Sequence, residues 1–435
     1  MIQQILFILI LGLAIFFIRK RVLRIKSNIL LGKKNTINDH PGIRLSNMML
    51  VAFGQKKMFK RFVPAFLHFF IYAGFLIINI EVLEFVIDGI AGTHRVFGPY
   101  LGDLYPVLMN FFEFLAVAVL VCCAVMLMRR NVVRVKRFWS AEMTTWPRLD
   151  ANLILITEIV LMCAILSMNA ADQILQTREA HYAGTGVLFF SSFIIPAFQN
   201  LSTSSLVFIE RFAWWFHILG ILGFAIYITY SKHLHIFLAF PNTYYARIEP
   251  KGHLTNMPVV TNEVKSMLGL GGDVTSSTAN PGRFGAKDVN DLNWNNLMAA
   301  YSCTECGRCT SECPANITGK KLSPRKIMMD TRDRMEEIGR SLDNGGPGLN
   351  DGKALLGDYI SKEEINACTS CNACVEACPV LINPLEIIIE LRRFVVMEES
   401  GAPAAWNSMF QNIETSFSPW KFSPSDRFNW SNEIK

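Results

Sequence analysis

The apolar positions of this chain fall in long blocks confined to its first half. Residues 2–18, 62–87, 107–128, 153–171 and 212–230 are nearly unbroken apolar runs. Runs of this length predict helices that cross ~30 Å of hydrocarbon, the first at the short end of the range. A sixth apolar piece, 187–198, is too short to span and reads as interfacial or re-entrant. Beyond residue 240 the pattern becomes that of ordinary soluble protein. Residues 241–291 read as a linker, with Gly269, Gly271, Gly272, Ser276, Ser277, Pro281 and Gly282 as its punctuation. Helical patterning returns over 320–340, with Ile327, Met328, Met335 and Ile338 on one face, and over 387–399. The tail, 401–435, is aromatic and polar and carries Trp406, Trp420 and Trp430, a composition suited to docking on a partner.

Charge gives these helices a direction. Arg19, Lys20, Arg21, Arg24 and Lys26 follow the first run, whereas a secretory signal would carry its charge before the apolar core. Arg129, Arg130, Arg134, Lys136 and Arg137 follow the third run, and Lys232 follows the fifth. The loop 88–106 holds only Arg95, and 172–204 only Arg178. Five spans with the N-terminus outside and the C-terminal half in the cytosol place every basic cluster on one side. The formal net charge of +6 is therefore a topology signal and gives no reason to invoke nucleic acid.

Eight of the eleven cysteines lie in the soluble half, in two copies of one spacing. Cys303, Cys306, Cys309 and Cys313 precede Pro314; Cys368, Cys371, Cys374 and Cys378 precede Pro379. Both read C-x2-C-x2-C-x3-C-P, by which a ferredoxin-type fold holds two [4Fe–4S] clusters, the fourth cysteine of each run serving the other cluster. One cluster is expected on Cys303, Cys306, Cys309 and Cys378, and the other on Cys368, Cys371, Cys374 and Cys313. A zinc ribbon has no use for the x3-C-P tail, and disulfides do not suit thiols on the cytosolic side. Cys122, Cys123 and Cys163 fall in apolar runs and read as structural. The expected architecture is all-α: residues 1–240 form a five-helix membrane domain, and 292–400 a cytosolic ferredoxin-like domain with two clusters.

Four histidines, His68, His217, His233 and His235, lie in or at the ends of the apolar helices. Ionisable groups there mark function by default, and two facing imidazoles can hold a b-type haem. The absence of C-x-x-C-H excludes covalent haem attachment. His68 lies roughly 9 Å inside the cytosolic end of its helix at the helical rise, and depth alone leaves its partner open.

The segment His217…Ser231-Lys232-His233-Leu234-His235, with His68 on an earlier helix, resembles the cytochrome b subunit of respiratory nitrate reductase. It is also similar to membrane subunits of heterodisulfide-reductase-like complexes. His217 and His235 are eighteen residues apart, as in the nitrate reductase pattern, but Ile78 stands where that pattern has a second histidine ten residues after His68. The resemblance implies one b haem between His68 and His235, with His217 serving a second only if another ligand replaces the missing one. Phe284-Gly285-Ala286, Asp291-Leu292-Asn293-Trp294, the first cysteine run, Leu322-Ser323-Pro324-Arg325 and Arg392-Arg393 resemble the cluster region of heterodisulfide reductase. That family's catalytic halves usually carry later CCG repeats, and nothing after Cys378 contains a cysteine.

These readings converge on a quinone-linked oxidoreductase subunit of a bacterial or archaeal cytoplasmic membrane. It would relay electrons between a cytosolic CCG-repeat protein or flavoprotein, two [4Fe–4S] clusters, a b haem and membrane quinone. Gly307, Arg308 and Lys320 are expected electrostatic neighbours of the clusters. Glu81, Glu84, Glu113 and Glu158 are candidates for proton exchange, although Glu81 and Glu84 read more simply as markers of the outer interface. The alternatives are a haem-free iron–sulfur anchor and a redox-sensing scaffold.

Overall fold

The computed structural model describes residues 1–180, 182, 184–270 and 283–434. The linker positions Gly271, Gly272, Ser276, Ser277, Pro281 and Gly282 lie outside the described residues. Five long apolar helices form the first half: α1 (Ile2–Ile29), α2 (Phe62–Ala91), α3 (Leu104–Asn131), α4 (Thr145–Arg178) and α5 (Thr203–Ile228). Each is long and apolar enough to cross a membrane, so this is a multi-pass membrane protein. The helices outrun their apolar blocks because polar flanks at the ends continue the backbone hydrogen bonding into loops and caps. At the start of α5, for example, the Ser202 hydroxyl accepts from the Ser205 N–H at 3.2 Å. At the end of α2, Gly92 takes a left-handed conformation, φ 74°.

The membrane bundle packs α4 on α5, α3 on both α2 and α4, and α1 across α2 and α5. The end of the bundle that carries the loop 88–106 has a polar interior that the sequence does not announce. Arg95, the single basic residue of the loop 88–106, is 3% exposed. It donates to Glu81 at 3.4 Å and to Asn169 at 2.6 Å. Glu84 accepts from the Tyr105 hydroxyl at 2.9 Å and the Phe97 N–H at 2.8 Å. Glu81 and Glu84 are therefore buried members of a polar network. Glu113 accepts from the N–H groups of Phe190 and Ser191, so the short segment Ser191–Phe193 is folded back onto the bundle.

The second half is helical as well, and among the described residues no strand forms. It begins with α6 (His235–Tyr244) and contains α7 (Trp294–Ser302), α8 (Pro324–Asp343) and α9 (Pro384–Met397). Ser323 and Asn383 cap α8 and α9, each with proline in the first turn. Leu297, Ile327, Met335, Ile338, Leu355, Ile387, Ile388 and Leu391 share one core.

This half is fastened to one end of the membrane bundle. The last turns of α1 reach past the bundle and dock on α7 and α8. Arg21 pairs with Glu336 at 2.6 Å, and Asn28 donates to the Tyr301 hydroxyl at 2.8 Å. Gly339 lets α1 approach closely: a Cβ there would stand 2.3 Å from the Asn28 side-chain oxygen. Beyond α1, Lys33 pairs its backbone with Leu292 and Trp294. Arg61 bonds Glu312 at 2.6 Å, and Lys60 pairs with Glu376. The basic loops that give the sequence its topology signal are thus the floor on which the cysteine domain sits.

Candidate functional site

The two cysteine runs adopt one backbone design. Glu305 and Gly307 flank Cys306 with φ of 54° and 72°; Ser370 and Asn372 flank Cys371 with φ of 56° and 61°. Left-handed residues on both sides of the middle cysteine coil each loop tightly, which turns successive sulfurs to one side. Gly307 is required twice over, since a Cβ would also lie 2.5 Å from an Arg325 nitrogen. The turn Arg308–Ser311 packs on the turn Ala373–Ala377, which crosses the end of each run over the other loop. As a result Cys303, Cys306, Cys309 and Cys378 line one small cavity.

Electrostatics reports the same grouping. Burial pushes the Cys303 thiol up to about 12, with the sulfurs of Cys306 and Cys378 adding to the rise. Burial pushes Cys374 up to about 12, helped by Cys368 and Cys313. Crowded, buried thiols of this kind are unfavourable as bare thiolates, and binding to iron is what offsets the charge. The donor set therefore fits two iron–sulfur clusters. Cys371 is the exposed member of the second run, whereas Cys303 is 8% exposed.

Arg325 ties the first loop to the membrane domain. Fully buried, it donates to Glu142 and to the Arg137 carbonyl, each at 2.7 Å. Lys232, just past α5, pairs with Glu305, and Arg332 bonds the other oxygen of that carboxylate at 2.8 Å. Burial lowers the Lys232 ammonium, and Glu305 partly restores it. Glu142 and Glu305 do not stand out in the sequence, and Lys232 does so only as a topology signal, because each meets a partner more than seventy residues away. Of the three expected neighbours, Gly307 shapes the first loop and Arg308 is buried beside it, while Lys320 is exposed.

Above this loop, towards the bundle, is a cavity of about 310 Å³. Its wall carries Cys306 and Arg308 at one end and His68, His233 and His235 within. The rest is mainly apolar, with Ile71, Phe75 and Leu155, and with Arg129, Arg130 and Arg137 on the side of the cysteine domain. The rings of His68 and His235 stand 6.4 Å apart, centre to centre. Two imidazoles sharing one metal, with nitrogens roughly 2 Å from it, place their centres about 6 Å apart. The Nδ1 atom of His68 meets the Gln55 oxygen at 3.1 Å, and Nδ1 of His235 meets the Lys232 carbonyl at 3.1 Å. These acceptors fix the tautomer that leaves each Nε2 lone pair free. The residues present therefore fit a bis-imidazole haem. His217 lies elsewhere, its ring against Phe85 at 5.7 Å and its Nδ1 3.1 Å from the Leu161 carbonyl. Among the described residues no second imidazole packs beside it. His233 stacks instead near Phe224, 5.4 Å from the His235 ring.

Residues 302–382 match the family model of the 4Fe-4S dicluster domain. This segment is a 4Fe-4S dicluster domain. The whole chain is similar to a probable iron–sulfur-binding oxidoreductase, FadF, of Bacillus subtilis, with 27% identity over 97% of this chain and 59% of the relative. It is similar to the EtfAB:quinone oxidoreductase of Syntrophomonas wolfei, with 26% identity over 91% of this chain and 55% of the relative. A third of the chain matches one component of the dihydromethanophenazine:CoB–CoM heterodisulfide reductase of Methanosarcina mazei, at 30% identity over 33% of this chain and 35% of that one. The chain thus spans little more than half the length of the first two relatives. No solved structure matches it. Its homologues are iron–sulfur oxidoreductases and subunits of oxidoreductase complexes, which supports a role in electron transfer.

Proposed function

We propose that the protein transfers electrons between a soluble redox partner and the quinone pool of the membrane. The observation that carries this reading is the single cavity whose wall holds both Cys306 of the dicluster domain and the His68–His235 pair of the bundle. Cys303, Cys306, Cys309 and Cys378 would hold one [4Fe–4S] cluster, and Cys368, Cys371, Cys374 and Cys313 the other. His68 and His235 would hold a b haem. When bound, these groups supply one-electron carriage at potentials set by burial, charge and hydrogen bonds to their ligands. The chain's own residues then provide the layout. Cys371 marks the solvent side, Cys306 the membrane side, and Arg325 with Lys232 keeps the first loop pressed against the bundle.

The dicluster domain is assigned to the cytosolic face, because it rests on Arg21, Arg24, Lys60, Arg61 and Lys232, the groups that the positive-inside rule retains there. The soluble partner is assigned as a flavoprotein or a CCG-repeat iron–sulfur protein, which would meet the domain on the side of the exposed Cys371. His217, packed singly, is not assigned a haem.

The test uses anaerobically purified full-length protein in lipid. A reduced spectrum with the sharp α band of bis-imidazole haem, together with cubane signals that quinol reduces or quinone oxidises, is the expected result. Clusters indifferent to both quinol and quinone would refute the assignment.

A further inference from the structure

Of the four acidic candidates for proton exchange, three are committed to fixed partners. Glu81 is paired to Arg95, Glu84 to Tyr105 and Phe97, and Glu113 to Ser191 and Asn169. Glu158 differs. It lies in the wall of the cavity that holds His68 and His235, and among the described residues it meets no hydrogen-bond donor. Tyr72, one helical turn deeper than His68, lines the same wall, and its buried hydroxyl also has no partner among the described residues. Cys123 and Leu155 complete this deeper end.

The cavity is bordered on two sides. Leu76, part of its wall, is 42% exposed, so this end lies at the apolar surface of the bundle. At the other end Lys232 and Glu305 belong both to this wall and to that of a polar cleft of about 1070 Å³ between the dicluster domain and the bundle. Asp150, Glu142 and Arg332 line that cleft too. An unpaired carboxyl between the apolar surface of the bundle and a polar cleft is placed where a membrane redox site exchanges protons.

We infer that Glu158 is the group that exchanges protons with a quinone ring seated at the membrane end of this cavity, with the Tyr72 hydroxyl bonding a quinone oxygen. This rests on the quinone-linked reading given above. In the reducing direction the quinone takes two electrons, which come from the reduced soluble donor by way of the dicluster domain. Each quinone oxygen gains one hydrogen as its C=O bond becomes C–OH. Each proton leaves the Glu158 carboxyl, and water from the polar cleft reprotonates the carboxylate between the two transfers. Quinol oxidation reverses every step.

The experiment compares wild type, Glu158→Gln and Glu158→Asp, as full-length protein in lipid with a short-chain quinone. In Glu158→Gln, quinone-driven oxidation of the pre-reduced protein should slow by about a hundredfold or more. Oxidation by ferricyanide, which takes no proton, should keep its rate, as should the haem and cubane spectra. Glu158→Asp should recover part of the quinone rate. Independently, the quinone-induced infrared difference spectrum of wild type should contain a carboxyl C=O band that Glu158→Gln removes. A wild-type quinone rate in Glu158→Gln, or a wild-type infrared spectrum without a carboxyl band, overturns the inference while leaving the proposed function standing. Failure of quinone to oxidise reduced wild-type protein overturns both.

Discussion

The Lys232 ammonium and the Glu305 carboxylate form an ion pair, 8% and 2% exposed, between the end of α5 and the first cysteine loop. The same lysine donates to the Pro147 carbonyl at 2.6 Å, so one side chain joins α4, α5 and the dicluster domain. Removing one partner of a buried pair leaves an uncompensated charge and costs about 3–5 kcal/mol. Lys232→Met should therefore lower the thermal unfolding midpoint of the purified protein and slow electron exchange between the clusters and the bundle. An unchanged midpoint would show that Arg332 alone satisfies Glu305.

The crossing of the two cysteine runs gives a prediction about which cluster suffers. Cys378 shares a cavity with Cys303, Cys306 and Cys309, although it lies in the second run. Cys378→Ser should perturb the EPR signal of the cluster beside the bundle and spare the one beside Cys371. Damage confined to the cluster of Cys368, Cys371 and Cys374 would defeat the exchanged assignment.

His68→Ala and His235→Ala should each remove the haem band while iron and sulfide content stays at that of two cubanes. His217→Ala should leave the haem band at full intensity, because His217 packs on Phe85 away from that pair. Optical spectra with iron analysis decide between these outcomes. Retention of full haem in His68→Ala would rule out the central pair as its ligands.

Glu142 predicts a pH response. Burial opposes its ionisation, but Arg325 and the Ser323 hydroxyl outweigh burial and hold its carboxyl below the usual range. A group depressed in the folded state adds stability above its unfolded value of about 4.3, and that stability disappears as pH falls through the lower folded value. Acidification below about pH 4 should therefore loosen the dicluster domain from the bundle, read as faster proteolysis of the loop that carries Glu142. Glu142→Gln should show the looser state already at neutral pH.

Local patterns carried most of the architecture. Five apolar blocks became five helices, and the repeated cysteine spacing located a dicluster domain, because both signals are complete within short stretches of chain. The helix ends moved outward since hydropathy stops where the lipid stops, whereas α1 continues as a rod to Ile29. The burial of Arg95 was not legible in its loop, because only the fold brings Glu81 and Asn169 to it. Gln55, thirteen residues before His68, was invisible for the same reason: an amide gains meaning from the imidazole it faces. Between Glu113 and Glu158 the sequence could not choose, and what separates Glu158 is that Glu113 is held by Ser191 and Asn169.

The reach of α1 bears on how this molecule is handled at the bench. Its last turns press against the Gly339 face of α8 and bond Tyr301, two residues before Cys303. A fragment expressed from residue 292 onwards would expose that seat to water and lose the strut that steadies the first cysteine loop. Such a truncated ferredoxin would report redox potentials and oxygen sensitivity of its own, and only the intact chain would yield those of the native relay.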